Sequence, residues 1–271
     1  MGPDVTGTQA RRAQGDPVAG LADSPWRIVV AAAIGGAWLI AVLAQLTGNA
    51  RALHHHALIE GGPPLWVALP LFLVAWQVMI AAMMLPAGLP AVRVFAAQSL
   101  RLSRPGLAMV AFLVAYAVVW TAVGLAAFMG DVALHNFADA TPFLGTRPWL
   151  VEAGVLALAG AYQFVPLKRR ALAACRHPAG QVGGGTGTEV RATRHGFRHA
   201  LDCVACSWAL MLLMFAAGFA NLWWMAALAV LMAYETIGSH GQRAAVAAGG
   251  VLLGLAGLVV VTGWAPAFGA K

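Results

Sequence analysis

The chain has 271 residues, of which 61% are hydrophobic and only 10% are charged. Its mean hydropathy is +0.76. This composition excludes an ordinary soluble globule and predicts a polytopic membrane protein. A formal charge of +7 can indicate a nucleic-acid partner, but nearly all the basic residues lie between hydrophobic runs on one side, as membrane topology requires. We therefore expect the lipid bilayer as a partner and no nucleic acid.

Hydrophobic runs divide the chain into a tail and a membrane domain. Residues 1–24 are rich in Gly, Pro and polar residues without apolar periodicity, which predicts a disordered tail. Residues 25–271 are predicted to form an all-α, polytopic transmembrane helix bundle of about seven helices. Six is the alternative, if the short sixth run re-enters instead of crossing. The predicted spans are approximately 28–46, 65–92, 107–129, 149–167, 199–218, 222–236 and 244–264.

The distribution of basic residues predicts the orientation. With seven spans, fourteen of the 17 lysines and arginines fall on the same side of the membrane as the N-terminus. Because cytoplasmic segments carry the excess of Lys and Arg, we expect the N-terminus in the cytoplasm. The tail and the Gly-rich linker 177–195 are then cytoplasmic, and the composition of the linker predicts flexibility.

A stripe of potential metal ligands begins the fifth run. At 100° per residue, His199, Cys203 and Cys206 lie within about 60° of one another on one helix face. Met214 continues the stripe about two turns deeper. Imidazole, thiolate and thioether donors suit Cu(I), or Zn(II) at the cysteine-rich end. The alternative is that these Cys and Met side chains only pack a helix interface.

The predicted topology brings further candidate ligands to the same region. They are Cys175, Asp202 and Glu235 near the inner face, and Met79 and Met83 near the middle of the membrane. Carboxylates inside a membrane tend to mark function or pairing. For Glu235 we expect either a bound metal or an arginine such as Arg198 as the partner. A methionine stripe alone is more typical of a core, but the convergence of thiols and carboxylates favours a metal site.

Motifs in three segments between residues 65 and 235 occur together in this chain. They are Trp76, Met79, Met83, Met84 and Pro86; Tyr162, Gln163, Pro166, Leu167, Lys168 and Cys175; and His199, Cys203, Cys206, Trp208, Leu210, Met211, Gly218, Asn221, Met225 and Glu235. Together they resemble a family of bacterial integral membrane proteins of unknown function that is described as predicted metal-binding. The resemblance implies a metal-binding protein of the bacterial cytoplasmic (inner) membrane.

The chain departs from that family's pattern at four positions. Ala171 and Ser207 stand where cysteines are expected, Asp202 replaces a tyrosine, and Thr236 replaces a lysine. Two missing thiols argue against a thiolate-rich centre. An oxygen ligand from Asp202 would favour Zn(II) over Cu(I).

Three functions are consistent with these patterns. The leading hypothesis is a non-enzymatic accessory protein that holds or passes a soft metal such as copper, with zinc as the alternative ion and a metal-delivery protein or metalloenzyme as partner. The second is a membrane thiol redox protein, because Cys203 and Cys206 form a Cys-x-x-Cys pair near a helix N-terminus. The third is a structural or assembly protein without metal, since Gly250 and Gly254 have the Gly-xxx-Gly spacing of close helix contacts.

Overall fold

The structure is a computed structural model, and it describes residues 25–47, 64–100, 102–141, 147, 149–178, 188–216 and 221–263. These residues form eight helices, which confirms the all-α prediction. The helices are α1 Pro25–Leu46, α2 Leu65–Ser99, α3 Pro105–Ala140, α4 Trp149–Tyr162, α5 Pro166–Arg176, α6 Thr188–Ala216, α7 Leu222–Ile237 and α8 Gly241–Thr262. The predicted tail, residues 1–24, lies outside the described residues.

Five of the helices are long and apolar enough to cross a membrane, namely α1, α2, α3, α6 and α8. Helices α4 and α5 add a sixth candidate span if the bent pair counts as one. Helix α7 is apolar but has only 16 residues, which is about 24 Å of helix against a hydrocarbon core of about 30 Å. By length and composition, the described residues therefore hold five or six candidate spans, and α7 is too short to count among them.

The predicted fourth span is not one straight helix. Helix α4 ends at Tyr162, and α5 leaves it at an angle of 64° after a short break. Pro166 opens α5 at its first turn, a position where the missing N–H of proline costs nothing. The bend lets α5 run beside α6 and reach α7, so it brings Cys175 toward the other two cysteines.

The predicted flexible linker is too long at its C-terminal end. Residues 188–195 belong to α6, which begins at Thr188, while residues 179–187 lie outside the described part of the chain. The physical reason is packing against α3. Ala192 is fully buried in a cluster with Phe112, and a Cβ at Gly196 would collide with the Phe112 backbone.

Indole hydrogen bonds join the first three helices. Trp76 Nε1 donates to the Trp120 carbonyl at 2.7 Å, and Trp38 Nε1 donates to the Ala82 carbonyl at 3.1 Å. A Cβ at Gly124 would meet the Trp76 ring at 2.7 Å. The bulky indole therefore fits between α2 and α3 because α3 has a glycine there.

Helices α4 and α8 approach each other closely at a pair of glycines. A Cβ at Gly249 would lie 3.0 Å from the Gly160 carbonyl oxygen, whereas one at Gly250 or Gly254 would meet nothing within 4 Å. The glycine that packs α8 inside the bundle is therefore Gly249, and the Gly-xxx-Gly pair lies on the open face. Small residues allow this kind of backbone approach between membrane helices.

Candidate metal centre

Two helices bring buried thiols together. Cys175 on α5 and Cys206 on α6 are 2% and 5% exposed, and their Sγ atoms lie 3.8 Å apart. Two metal–sulfur bonds of about 2.3 Å that meet at a tetrahedral angle separate the sulfur atoms by roughly 3.8 Å, whereas a linear pair would need about 4.6 Å. The separation of the thiol pair is therefore compatible with two ligands on one tetrahedral ion.

Cys203 lies one turn before Cys206 and is also buried. The Cys206 thiol donates to the Cys203 carbonyl at 3.2 Å, and the Cys203 and Cys206 side chains interact with each other. All three cysteines are free thiols. Cys203 and Cys206 thus lie on one buried face of α6, and α5 contributes the third thiol.

A tyrosine from α3, which is not among the predicted ligands, contacts this cluster. Tyr116 Oη lies 3.3 Å from Cys203 Sγ, and the Tyr116 side chain is 5% exposed. A hydroxyl inside an apolar run needs a polar partner. The sequence therefore indicates that Tyr116 has a polar partner, but it does not show that this partner is a thiol on α6.

His199 lies deeper than its place at the helix end suggested. It is 7% exposed, and its ring stacks on Phe112 and Tyr116 at centroid distances of 6.0 and 5.8 Å. Its Nε2 is buried and has no hydrogen-bond partner among the described residues. Gly88 leaves room for the ring, because a Cβ there would lie 3.4 Å from Nε2.

A cavity of about 110 Å³ lies next to His199. Its polar lining includes Gln98, His177, His195, Arg198, His199 and Asp202. Asp202 therefore faces this cavity, where Arg198 interacts with it electrostatically. Side-chain contacts link the cavity to the thiol cluster, because His199 lines the cavity and stacks on Tyr116, whose hydroxyl contacts Cys203.

Glu235 is paired with a cation, as expected, and within the described residues that cation is Lys168 and not Arg198. Lys168 Nζ donates to Glu235 Oε2 at 2.7 Å, and the two side chains are 1% and 2% exposed. Glu235 Oε1 is buried without a hydrogen-bond partner among the described residues. Lys168 is also close enough to Cys206 for the two groups to interact electrostatically.

Arg176 places a second cation at the same end. Its Nη1 and Nη2 donate to the carbonyl oxygens of Glu235 and Gly238 at 2.6 and 2.7 Å. These bonds connect the end of α5 to the end of α7. Helix α7 itself packs mainly against α2, so Glu235 reaches this region through α5 and not through a simple hairpin with α6.

Lys168 could have been found from the sequence. Helical spacing places Lys168, Leu172 and Cys175 on one face of α5, and all three are buried. A cation that shares a helical face with apolar residues indicates a buried partner.

The predicted methionines lie in the core that surrounds these groups. Met79, Met83 and Met214 are 3%, 0% and 0% exposed and belong to the cluster that contains the cysteines. The same cluster contains Met84, Met211, Met225 and Met232. Met84 is therefore buried as well.

The nine predicted ligands do not converge on one centre. Within the described residues, no group of three or more His, Cys, Asp or Glu side chains is arranged to hold a metal ion. The thiols form one group, His199 and Asp202 line the neighbouring cavity, Glu235 is paired with Lys168, and the methionines lie in the core. Of these groups, the pair Cys175 and Cys206 has a sulfur–sulfur separation, 3.8 Å, that suits two ligands of one ion.

Comparisons with known proteins gave one finding. Residues 73–260, well over half of the chain, match the family model described as PpoB2 copper chaperone. No curated protein and no solved structure matched the chain.

Proposed function

The chain belongs to the PpoB2 copper chaperone family, and we propose that it holds one Cu(I) ion between the thiolates of Cys175 and Cys206. It is a multi-pass membrane protein that handles copper. The observation that carries the proposal is the 3.8 Å separation of two buried sulfur atoms from different helices. Thiolates are the soft ligands that Cu(I) prefers.

Cys203 supplies a third sulfur for the ion. Its side chain interacts with that of Cys206, and its Sγ lies 3.3 Å from Tyr116 Oη. Thioethers are weaker ligands than thiolates. Met214, Met83 and Met79, which lie in the same cluster, then provide transient contacts for a moving ion.

The cavity beside His199 provides the access route. Its imidazole Nε2 is unpartnered among the described residues, and its ring stacks on the tyrosine whose hydroxyl contacts Cys203. A copper ion that enters the cavity would meet an imidazole first and a thiol next. Both donor types bind copper.

The proposed role is that of a carrier and not of an enzyme, since binding and release of an ion require no covalent chemistry on a substrate. The recipient is a copper-requiring metalloprotein or a second carrier.

We place the protein in the bacterial cytoplasmic membrane with its N-terminus inside, because the basic residues are concentrated on that side. A cysteine introduced at Gly184 should resist an impermeant thiol reagent added to intact cells, and labelling from outside would reverse the orientation.

The test is the copper content of the purified full-length protein after anaerobic loading with Cu(I) and desalting. The wild type should retain about one copper per chain. Cys175→Ser and Cys206→Ser should each lower the retained copper, since each removes one of the two thiolates whose separation suits a shared ion. Met109→Leu is the matched control, because Met109 is fully buried in a separate cluster. Equal copper in the wild type and the Cys175→Ser/Cys206→Ser double variant would refute the site.

A further inference from the structure

We propose that Lys168, Glu235 and Arg176 set the electric charge around the thiol pair so that the site favours a monovalent ion over a divalent one. The inference rests on the proposed site at Cys175 and Cys206. It assigns the three charged residues a role in ion specificity without making any of them a metal ligand.

The first step is the charge of the loaded thiol pair. Metal binding requires both thiols to lose their protons. A pair of thiolates with a monovalent ion then carries one net negative charge, whereas the same pair with a divalent ion is neutral. An uncompensated charge is costly in a buried site inside a membrane protein.

Three charged side chains already lie near the thiol pair. Lys168 and Arg176 are two cations and Glu235 is one anion, so together they carry one net positive charge. A monovalent ion on the thiolates cancels this charge, and a divalent ion leaves it uncompensated. Arg198 and Asp202 have opposite charges and interact with each other, so they add no net charge.

The charged residues lie near the thiols, and two of them are buried. Lys168 interacts electrostatically with Cys206, and Arg176 follows Cys175 directly in α5. The Lys168–Glu235 pair is almost completely buried. Charges interact far more strongly in such surroundings than in water, so the buried pair acts on the neighbouring thiolates with little screening, whereas Arg176 is only partly buried.

The arrangement predicts an order of selectivity among three variants. At a pH where the remaining partner stays ionised, Lys168→Met leaves no net charge, the double variant Lys168→Met/Glu235→Gln keeps one positive charge through Arg176, and Glu235→Gln leaves two. The ratio of monovalent to divalent affinity should therefore be lowest in Lys168→Met, similar in the double variant and the wild type, and highest in Glu235→Gln.

The test compares ions with the same electron count and different charge. Affinities of the full-length protein are measured in detergent by competition with chelators, for Cu(I) against Zn(II) and for Ag(I) against Cd(II). We expect the ratio in Lys168→Met to fall about tenfold or more, because one full charge is removed close to Cys206. Arg169→Met is the control, since Arg169 is exposed on the same helix and its removal should leave the ratio unchanged.

The outcomes separate this inference from the proposed site. If the cysteine variants lose copper but all charge variants keep the wild-type ratio, the site stands and the charge inference is overturned. If Glu235→Gln lowers the affinity for both ions of a pair, Glu235 is a ligand and the inference is also overturned. Should Lys168→Met fail to fold, the rise expected in Glu235→Gln over the wild type and the double variant decides the question.

Discussion

Removal of Lys168 should cost the protein much of its stability, because it leaves a carboxylate buried without a cation. Glu235 is 2% exposed, and its Oε1 has no hydrogen-bond partner among the described residues. Breaking a buried ion pair by removing one partner typically costs about 3–5 kcal/mol. We expect Lys168→Met to fall in that range. The double variant Lys168→Met/Glu235→Gln should recover most of the loss, because no charge of the pair remains.

The assay is reversible unfolding of the full-length protein in mixed micelles, with the four members of the double-mutant cycle measured together. A coupling free energy of about 2 kcal/mol or more is expected for residues in direct contact inside a core. Arg169→Met is the matched control, since it removes an exposed cation one residue away. If Lys168→Met costs no more than Arg169→Met, the reasoning about the buried pair is wrong.

Three smaller predictions concern packing and access. Gly249→Ala should destabilise the protein by about 1–3 kcal/mol through overpacking against α4. A Cβ at Gly250 meets nothing within 4 Å, so Gly250→Ala should be neutral or stabilise the protein by up to about 1 kcal/mol. Thermal unfolding of the two variants measures this difference. His199→Ala should slow copper uptake in stopped-flow experiments without lowering the final copper content, and a lower content would make His199 a ligand. Tyr116→Phe should cost about 1 kcal/mol of stability, as expected for a lost hydroxyl contact, and an unchanged unfolding free energy would contradict the contact with Cys203.

The sequence was sufficient for the fold class and for most helix positions, because a membrane imposes long apolar runs. It was insufficient where packing decides between neighbouring conformations. The break after Tyr162 turns a continuous apolar pattern into two helices, and the helical start at Thr188 depends on contacts of Ala192 and Gly196 with α3. Those contacts join residues far apart in the chain, so local composition could not show them.

Helical spacing likewise predicts one part of the candidate site, and tertiary contacts determine the rest. The period of 3.6 residues correctly placed Cys203 and Cys206 on one buried face of α6. The closeness of Cys175 to Cys206 depends on the 64° bend between α4 and α5, which the sequence did not predict. The role of Lys168 could have been suspected from the buried face of α5. Tyr116 could not be connected with Cys203, because the pairing of α3 with α6 is a tertiary contact.

The small number of preorganised ligands fits a carrier better than a storage site. A closed structural centre with four protein ligands must break a metal bond before an acceptor can approach. In the proposed site, a pair of thiolates would leave coordination positions free, so a sulfur atom of the recipient could bind before either Cys175 or Cys206 is released. The ion can then pass by ligand exchange without existing free in the membrane. Burial of both sulfur atoms restricts that exchange to a partner that reaches the thiol pair.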